Sequence, residues 1–354
     1  MKSPLTILAG QTALTRLRDT GWHGSLFDTV VGASGGPKWL ILSELDQVLA
    51  QTLLAQVHSP LTLLGSSIGT WRHACLSLPD PVAAIKRLQH AYLYQRYRNA
   101  RPSPREVSEV AEAMLNDALG DRGPALLAAH PHFRNAVVTA RARGIARGQR
   151  TAPLVAGMGL ALLANAMHRK GLEQFFQRVV FCHPDLHTIP FAEGFDTQTV
   201  PLSSTNVVPA LKASGAIPML MQCEPEISGA PPGPYWDGGI IDYHFSLAEP
   251  DEGGLILYPH FRDRLTPGWF DKSLRWRAHQ PPRSDRLILM CPSDEFLASL
   301  PFGKIPDRGD FRALSPEQRI AYWEVCVRES KRLAEYFHEL VTGDDPLRGV
   351  TPLS

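Results

Sequence analysis

Three short segments carry groups that could do chemistry together. Gly65-Ser66-Ser67-Ile68-Gly69 follows the apolar run Leu61-Thr62-Leu63-Leu64 and leads into a helical pattern. Gly-x-Ser-x-Gly between a strand and a helix is the pattern of a nucleophile elbow. The serine sits in a strained turn that lifts its hydroxyl clear of the sheet, and only small residues fit two positions to either side. Gly65 and Gly69 meet that condition for Ser67, whereas Leu64 and Ile68 fail it for Ser66. A second match, Gly32-Ala33-Ser34-Gly35-Gly36, follows Phe27-Asp28-Thr29-Val30-Val31 and runs into Pro37-Lys38. Its extra glycine and its helix-starting proline suit a different task. Free N–H groups of Gly35 and Gly36 beside a helix N-terminus form an anion-binding cradle, as an oxyanion hole requires. Lys38 adds positive charge, and Ser34 reads as part of a glycine-rich connection. The third segment, Tyr235-Trp236-Asp237-Gly238-Gly239, offers a carboxylate. A serine hydroxyl needs a partner to take its proton, and Gly238 and Gly239 allow the tight turn that leaves Asp237 reachable. Cradle, serine and carboxylate together point to acyl transfer at Ser67.

The elements that must position these groups alternate between short apolar runs and helical patterns, the mark of an α/β fold with a largely parallel sheet. Strands are expected over 26–31, 60–64, 135–140, 177–182, 254–258 and 286–291. Helices are expected over 10–20, 37–56, 68–77, 81–99, 104–119, 154–170, 206–214 and 316–341. The last is the best marked: Ser315 and Gln318 form a capping box, Pro316 takes the first helical position and Gly343 follows the end. The stretch from about 79 to 133 is helical and breaks the strand rhythm, so it reads as an insertion. Residues 224–234 are a loop by composition.

In this order the motifs resemble the patatin-like phospholipase family, over roughly residues 26 to 260. That family carries a glycine-rich oxyanion loop, a Gly-x-Ser-x-Gly elbow, a small-residue segment ending in Ala-x-Pro or Ala-Pro, and Asp-Gly-Gly or Asp-Gly-Ala. Here the small-residue segment is Ala213-Ser214-Gly215-Ala216-Ile217-Pro218. The resemblance implies Ser67 as nucleophile, Asp237 as its dyad partner, Gly35 and Gly36 as oxyanion donors and Lys38 as the basic loop residue. It implies a three-layer α/β/α fold with a mostly parallel sheet and a helical insertion. The acyl hydrolase domain would span 1–260, with 261–354 a C-terminal extension packed on it. It also implies lipid acyl-ester hydrolysis through an acyl-enzyme, with no metal and no cofactor. Without a histidine the carboxylate is the base itself, so Asp237 is expected to be desolvated with a raised pKa. Two departures stand out. The family loop reads Gly-Gly-Gly-x-Arg/Lys-Gly, whereas this chain has Ser34 at the first glycine and Trp39 at the last. After Asp-Gly-Gly the family has an Asn-Pro-type segment, whereas this chain has Ile240-Ile241-Asp242-Tyr243-His244.

Two other readings use the same residues. A Ser-Asp-His esterase of the α/β-hydrolase kind has the chain order serine, acid, histidine, which Ser67, Asp237 and one of His244, His260, His279 or His338 satisfy. A catalytically silent lipid- or protein-binding member of the fold would account for Ser34 and Trp39.

Bulk composition narrows the partners. The 354 residues carry 36 basic and 35 acidic side chains, a net charge of +1 that gives no indication of nucleic acid. The five cysteines are scattered without Cys-x-x-Cys spacing, which excludes a disulfide framework and a zinc knuckle and suggests a reducing compartment. The N-terminus is too weakly apolar for a secretory signal. The apolar run Pro153 to Met167 falls short of the roughly 18 residues that span a bilayer. A cytoplasmic protein is expected. Residues 122–172 contain no Asp or Glu but eight basic residues: Arg122, Arg134, Arg141, Arg143, Arg147, Arg150, Arg169 and Lys170. Beside the apolar run they raise a further expectation, a peripheral contact with an anionic membrane at its inner face. Residues 262–286 interleave basic residues with Trp269, Phe270 and Trp276, read here as a solvated, partly packed surface.

Overall fold

The computed structural model describes residues 3–99, 101–148, 151–187, 189, 191–192, 194–248, 253–277 and 284–353. Arg150 and His279 lie outside the described residues. The apolar runs form strands β1 (Leu5–Ala9), β2 (Phe27–Gly32), β3 (Leu61–Ser66), β4 (Phe133–Ala142), β5 (Phe176–Cys182), β6 (Thr197–Pro201), β7 (Tyr235–Asp237), β8 (Leu255–Pro259), β9 (Leu287–Pro292) and β10 (Val350–Pro352). They make one sheet in the order β10-β1-β9-β8-β2-β3-β4-β5-β6, with β7 pairing β4 off that path. The pairs β1·β10, β9·β8, β8·β2, β2·β3, β3·β4 and β5·β6 are parallel, while β1·β9, β4·β5 and β4·β7 are antiparallel. Every residue of β5, β8 and β9 is buried, as befits strands covered on both faces. The architecture is a three-layer α/β/α fold.

The helices are α1 (Gln11–Thr20), α2 (Ser43–Gln51), α3 (Ile68–Leu76), α4 (Pro81–Tyr94), α5 (Pro104–Leu119), α6 (Gly123–Ala128), α7 (Thr151–Met167), α8 (Val207–Gly215), α9 (Asp294–Ser299), α10 (Asp310–Ala313) and α11 (Pro316–Thr342). The insertion between α3 and β4 is helical, formed by α4, α5 and α6. The Ser315–Gln318 capping box is present at the start of α11, with Pro316 in its first turn.

One expectation is corrected. The helix expected over 37–56 is a 3-10 helix over Gly36–Leu42, then α2, then a 3-10 turn over Leu54–Gln56. Trp39, Leu40, Ile41 and Leu42 are all fully buried. Four consecutive buried side chains suit a segment enclosed on every side better than the one-sided stripe of a surface helix. Past residue 260 the chain returns to the same sheet, where β9 lies between β1 and β8. Beyond it β10 adds in parallel to β1, and among the described residues β1 reaches the rest of the sheet through β9. The apolar Leu-Ile-Leu-Met-Cys-Pro of β9 is buried throughout, so the chain beyond 260 contributes strands to the one sheet.

Candidate active site

β2 and β3 run parallel with Gly32 opposite Gly65, so the two elbows leave the sheet side by side. They are pressed together: a Cβ on Gly69 would lie 2.1 Å from the Gly32 carbonyl oxygen. Only glycine allows α3 to start this close to β2. At the turn Ser67 has φ 53° and ψ −132° and caps α3. A non-glycine residue held in such a conformation costs of order 1–3 kcal/mol and persists only where its surroundings enforce it. They do so here through Ser214 of α8. Its hydroxyl accepts the Ser67 N–H at 2.9 Å and donates to the Val138 carbonyl of β4 at 2.6 Å.

The carboxylate arrives by a handover on the edge of β4. β3 pairs the first half of that strand and ends with Ser66 opposite Val138. β7 takes the same edge from the other direction and ends with Asp237 opposite Thr139. The two strand ends therefore meet, and Ser67 Oγ donates to Asp237 Oδ2 at 2.9 Å. The other oxygen, Oδ1, accepts the Gly239 N–H at 2.8 Å. Gly238 is needed for the approach, since a Cβ there would lie 2.1 Å from the Val138 oxygen. Burial raises the Asp237 pKa, against the opposing pull of Arg308, of the Gly239 and Ser67 hydrogen bonds and of Lys272. A carboxylate held this way is a poised proton acceptor.

Gly36 has φ 56°, the left-handed conformation that glycine adopts freely, and opens the 3-10 helix with Pro37 next. The N–H groups of Gly35 and Gly36 donate to no acceptor among the described residues. Gly36 and Ser67 line one cavity of about 1020 Å³. Gly36, with its free backbone N–H, and Ser67 thus share one space, with Gly35 next in the chain. No family model and no curated protein matches this chain.

Ser34 and Ser66 belong to the frame. Their hydroxyls bond each other at 2.8 Å, and Ser66 Oγ donates to the Asp242 carbonyl at 2.6 Å. Trp39 turns into the core and packs edge-on against Tyr92. Both departures in the oxyanion loop thus point away from the cavity. Asp242, in the segment after Asp-Gly-Gly, forms a buried bidentate pair with Arg178, both bonds at 2.7 Å.

The histidines stand apart from the dyad. His244 Nδ1 accepts the Thr266 N–H at 2.8 Å, and the ring packs between Tyr243 and His260. Burial, then His260, moves its pKa well below the ordinary range. His260 is fully buried beside the Arg262 carbonyl, and His338 is exposed on α11. Among the described residues no imidazole stands between Ser67 and Asp237, whose oxygens are in direct contact.

Cations gather round the site, Lys38 from the glycine-rich loop and Lys272 and Arg308 from segments that carry no motif. Lys38 is half-buried, and desolvation followed by Arg262 lowers its pKa to about 8. Lys272, in the stretch read as a solvated surface, lies with its ammonium 3.4 Å from the Tyr243 ring centroid. Lys272 is exposed at the surface. Its crowded setting, then Arg308 and Lys38, moves its pKa downward. Arg308, from the loop after α9, reaches Gly36: a Cβ there would lie 3.0 Å from Arg308 Nε. The charge run at 122–172 is less uniform than its sequence. Arg143 bonds Asp196 and Arg169 bonds Asp271, at 2.5 and 2.9 Å, while Arg122, Arg147 and Lys170 are exposed.

Among the described residues no group of three or more His, Cys, Asp or Glu side chains is placed to hold a metal ion. No helix among them is long and apolar enough to cross a membrane.

Proposed function

We propose that this chain is a serine acyl hydrolase of the patatin-like kind, cleaving acyl esters through a Ser67–Asp237 dyad. The observation that carries the reading is the 2.9 Å bond from Ser67 Oγ to Asp237 Oδ2 with Ser67 in the strained elbow conformation. Asp237 takes the Ser67 proton as Oγ attacks the ester carbonyl. The oxyanion that forms lies against the Gly35 and Gly36 N–H groups, where loss of one donor costs about 3–4 kcal/mol of barrier. Collapse breaks the ester C–O bond, and the proton on Asp237 passes to the departing alcohol. Water then attacks the acyl-serine with Asp237 again as base, releasing the carboxylic acid and restoring the hydroxyl. The reaction draws on no cofactor.

Ester amphiphiles are the substrate class best suited to the cavity, one wall of which is apolar: Ile68, Trp71, Met114, Ile217, Leu220 and Met221. The reading places the protein in the cytoplasm, in peripheral contact with an anionic membrane through α7. That helix has no charged residue from Thr151 to Met167 and exposes Val155, Leu160, Leu163 and Met167. Lys170 follows it, and Arg147 precedes it.

The test is a fluorophosphonate probe together with short and long p-nitrophenyl esters. Wild type and Ser34→Ala should label and turn over. Ser67→Ala should do neither, and Asp237→Asn should lose turnover. Label or turnover that survives Ser67→Ala would sink the reading, as would a wild type that never labels.

A further inference from the structure

Arg308, from the loop before α10, stands in the wall of the cavity that holds Ser67 and Gly36. A Cβ on Gly36 would lie 3.0 Å from Arg308 Nε and 3.5 Å from Nη2. The guanidinium thus lies against the backbone whose N–H is one of the two cradle donors. The cradle has no third amide to offer from its own loop start. Ser34, which stands where the patatin-like loop has its first glycine, commits its N–H to the Tyr243 carbonyl at 3.0 Å.

The loop that carries Arg308 is braced, so the guanidinium is placed before any substrate arrives. Lys304 Nζ holds Asp307 at 2.8 Å and Asp310 at 2.6 Å, and the Lys304 carbonyl accepts the Tyr322 hydroxyl at 2.6 Å. Asp310 also accepts the Asp307 N–H at 2.8 Å and the Trp323 indole N–H at 2.9 Å. Arg308 is half-buried, and a charge partly out of water acts more strongly on its neighbours than one in bulk solvent. The dyad carboxylate is among those neighbours. Burial raises the proton affinity of Asp237, and Arg308 is the foremost group opposing it, with Lys272 acting in the same direction. Lys38 and Arg262 add positive charge around Lys272. On the elements packed against Asp237, Lys212 is taken by Glu112 and Glu224, and Arg141 bonds the Pro232 carbonyl.

Building on the acyl hydrolase reading, we propose that Arg308 is a further catalytic residue, a charged donor to the oxyanion beside the Gly35 and Gly36 amides. The charge balance of the step says why a cation belongs there. Before reaction the negative charge is on Asp237. The Ser67 proton moves to Asp237 Oδ2, Oγ bonds the ester carbon, and the carbonyl π pair moves onto its oxygen. The carboxylate becomes neutral as that oxygen becomes charged. One negative charge has travelled from Asp237 to the cradle, and Arg308 acts on the first and lies against the second. When the bond to the alcohol breaks and the alcohol takes the proton, the charge returns to Asp237. A fixed cation beside both ends of this path needs no reorganisation during the step. The role requires no charge on the substrate, so it holds for neutral esters.

The experiment uses the full-length protein and a neutral ester, p-nitrophenyl butyrate. Arg308→Gln should lower kcat about 100-fold with KM held within about threefold, the loss expected for one oxyanion donor. Arg308→Lys should recover part of it, since the charge stays and the fork is lost. Octyl trifluoromethyl ketone and octyl methyl ketone separate chemistry from shape. The first adds Ser67 Oγ and carries a charged oxygen into the cradle, whereas the second stays a neutral ketone. Arg308→Gln should weaken the trifluoromethyl ketone about 100-fold and leave the methyl ketone within about twofold. The acid limb of kcat/KM should move to higher pH, because the foremost group opposing protonation of Asp237 is gone. A raised KM with unchanged kcat, or equal weakening of both ketones, would overturn the assignment. Arg308→Met supplies the same comparison where Arg308→Gln does not fold. The two readings fail separately. Hydrolysis that needs Ser67 and Asp237 but is indifferent to Arg308→Gln keeps the hydrolase and loses the catalytic arginine. A wild type that turns over no ester and binds the two ketones equally loses the hydrolase itself.

Discussion

Ser214 holds Ser67 from behind, accepting its N–H at 2.9 Å while donating to Val138 on β4 at 2.6 Å. One hydroxyl thereby ties the strained elbow to the edge on which Asp237 arrives. Ser214→Ala leaves a buried N–H and a buried carbonyl without their partner, which costs about 1–3 kcal/mol. The variant should melt several degrees lower. Its kcat on a p-nitrophenyl ester should fall about tenfold, since the elbow can relax toward ordinary backbone angles. Unchanged kcat alongside a lowered melting temperature would make Ser214 a stability residue only.

Asp237 couples stability to activity. Burial raises its pKa above that of the unfolded chain, so the folded state holds this proton more tightly than the unfolded state does. The associated stabilisation is fully present below the unfolded value, about 3.9, and is lost as pH rises through the raised folded value. Asp237→Asn preserves the shape and carries no charge. It should therefore melt above wild type at neutral pH, and that gap should close on acidification toward pH 4. Ester hydrolysis should fall by about 10²–10⁴ in the same variant, the usual worth of a general base. In wild type, the acid limb of kcat/KM should lie above the ordinary carboxylate range. A melting gap that widens on acidification would contradict the assignment.

Close approach and backbone conformation are separable at two glycines. A Cβ at Gly69 would lie 2.1 Å from the Gly32 oxygen, backbone against backbone. At Gly120, φ is 64° with nothing within 4 Å of the added carbon. Gly120→Ala should cost about 1 kcal/mol for its conformation alone. Gly69→Ala should exceed about 4 kcal/mol, because α3 has to shift away from β2. Chemical denaturation of the two variants measures both, and similar losses would refute the argument from close packing.

The same contrast explains what the sequence made legible. β2 to β5, β8 and β9 are apolar runs long enough to register as strands, and α5 and α11 announce themselves by capping residues and periodicity. The three residues of β7 are too short for any alternation to show. They were visible only as the Tyr-Trp before Asp-Gly-Gly, and their strand character comes from the exposed half-edge of β4 that β3 leaves behind. β6, Thr-Gln-Thr-Val-Pro, sits at the edge with four of five residues exposed, so no hydrophobic pattern marks it. Ser67 was readable as a candidate because the elbow imposes local steric rules, and Asp237 because two glycines follow it. Arg308 and Lys272 were not, because their nearness to Asp237 arises from loops that pack across more than thirty residues of intervening chain and carry no local signature.

The outward face of α7 supplies the last prediction. Leu154, Met158, Ala161 and Asn165 face the protein, while Val155, Leu160, Leu163 and Met167 are exposed, the last two by 62% and 82%. At the end of the helix Arg277 bonds the carbonyls of Asn165 and Ala166, which brings the neighbouring Trp276, 66% exposed, to the same end as Met167. Apolar side chains and an exposed tryptophan beside Lys170 and Arg275 match the interface of an anionic bilayer, where each basic residue near the surface adds about 1 kcal/mol. Wild type should sediment with vesicles containing phosphatidylserine and less with neutral vesicles, and salt should weaken the difference. Leu163→Glu with Met167→Glu should abolish sedimentation on both, because carboxylates remove the apolar contact and repel the anionic surface. Lys170→Gln with Arg147→Gln should lower binding to the anionic vesicles alone. Hydrolysis of a short, soluble ester should be unchanged in these variants, since none of the altered residues lines the cavity that holds Ser67. Sedimentation that is indifferent to all four substitutions would leave α7 without a role at the membrane.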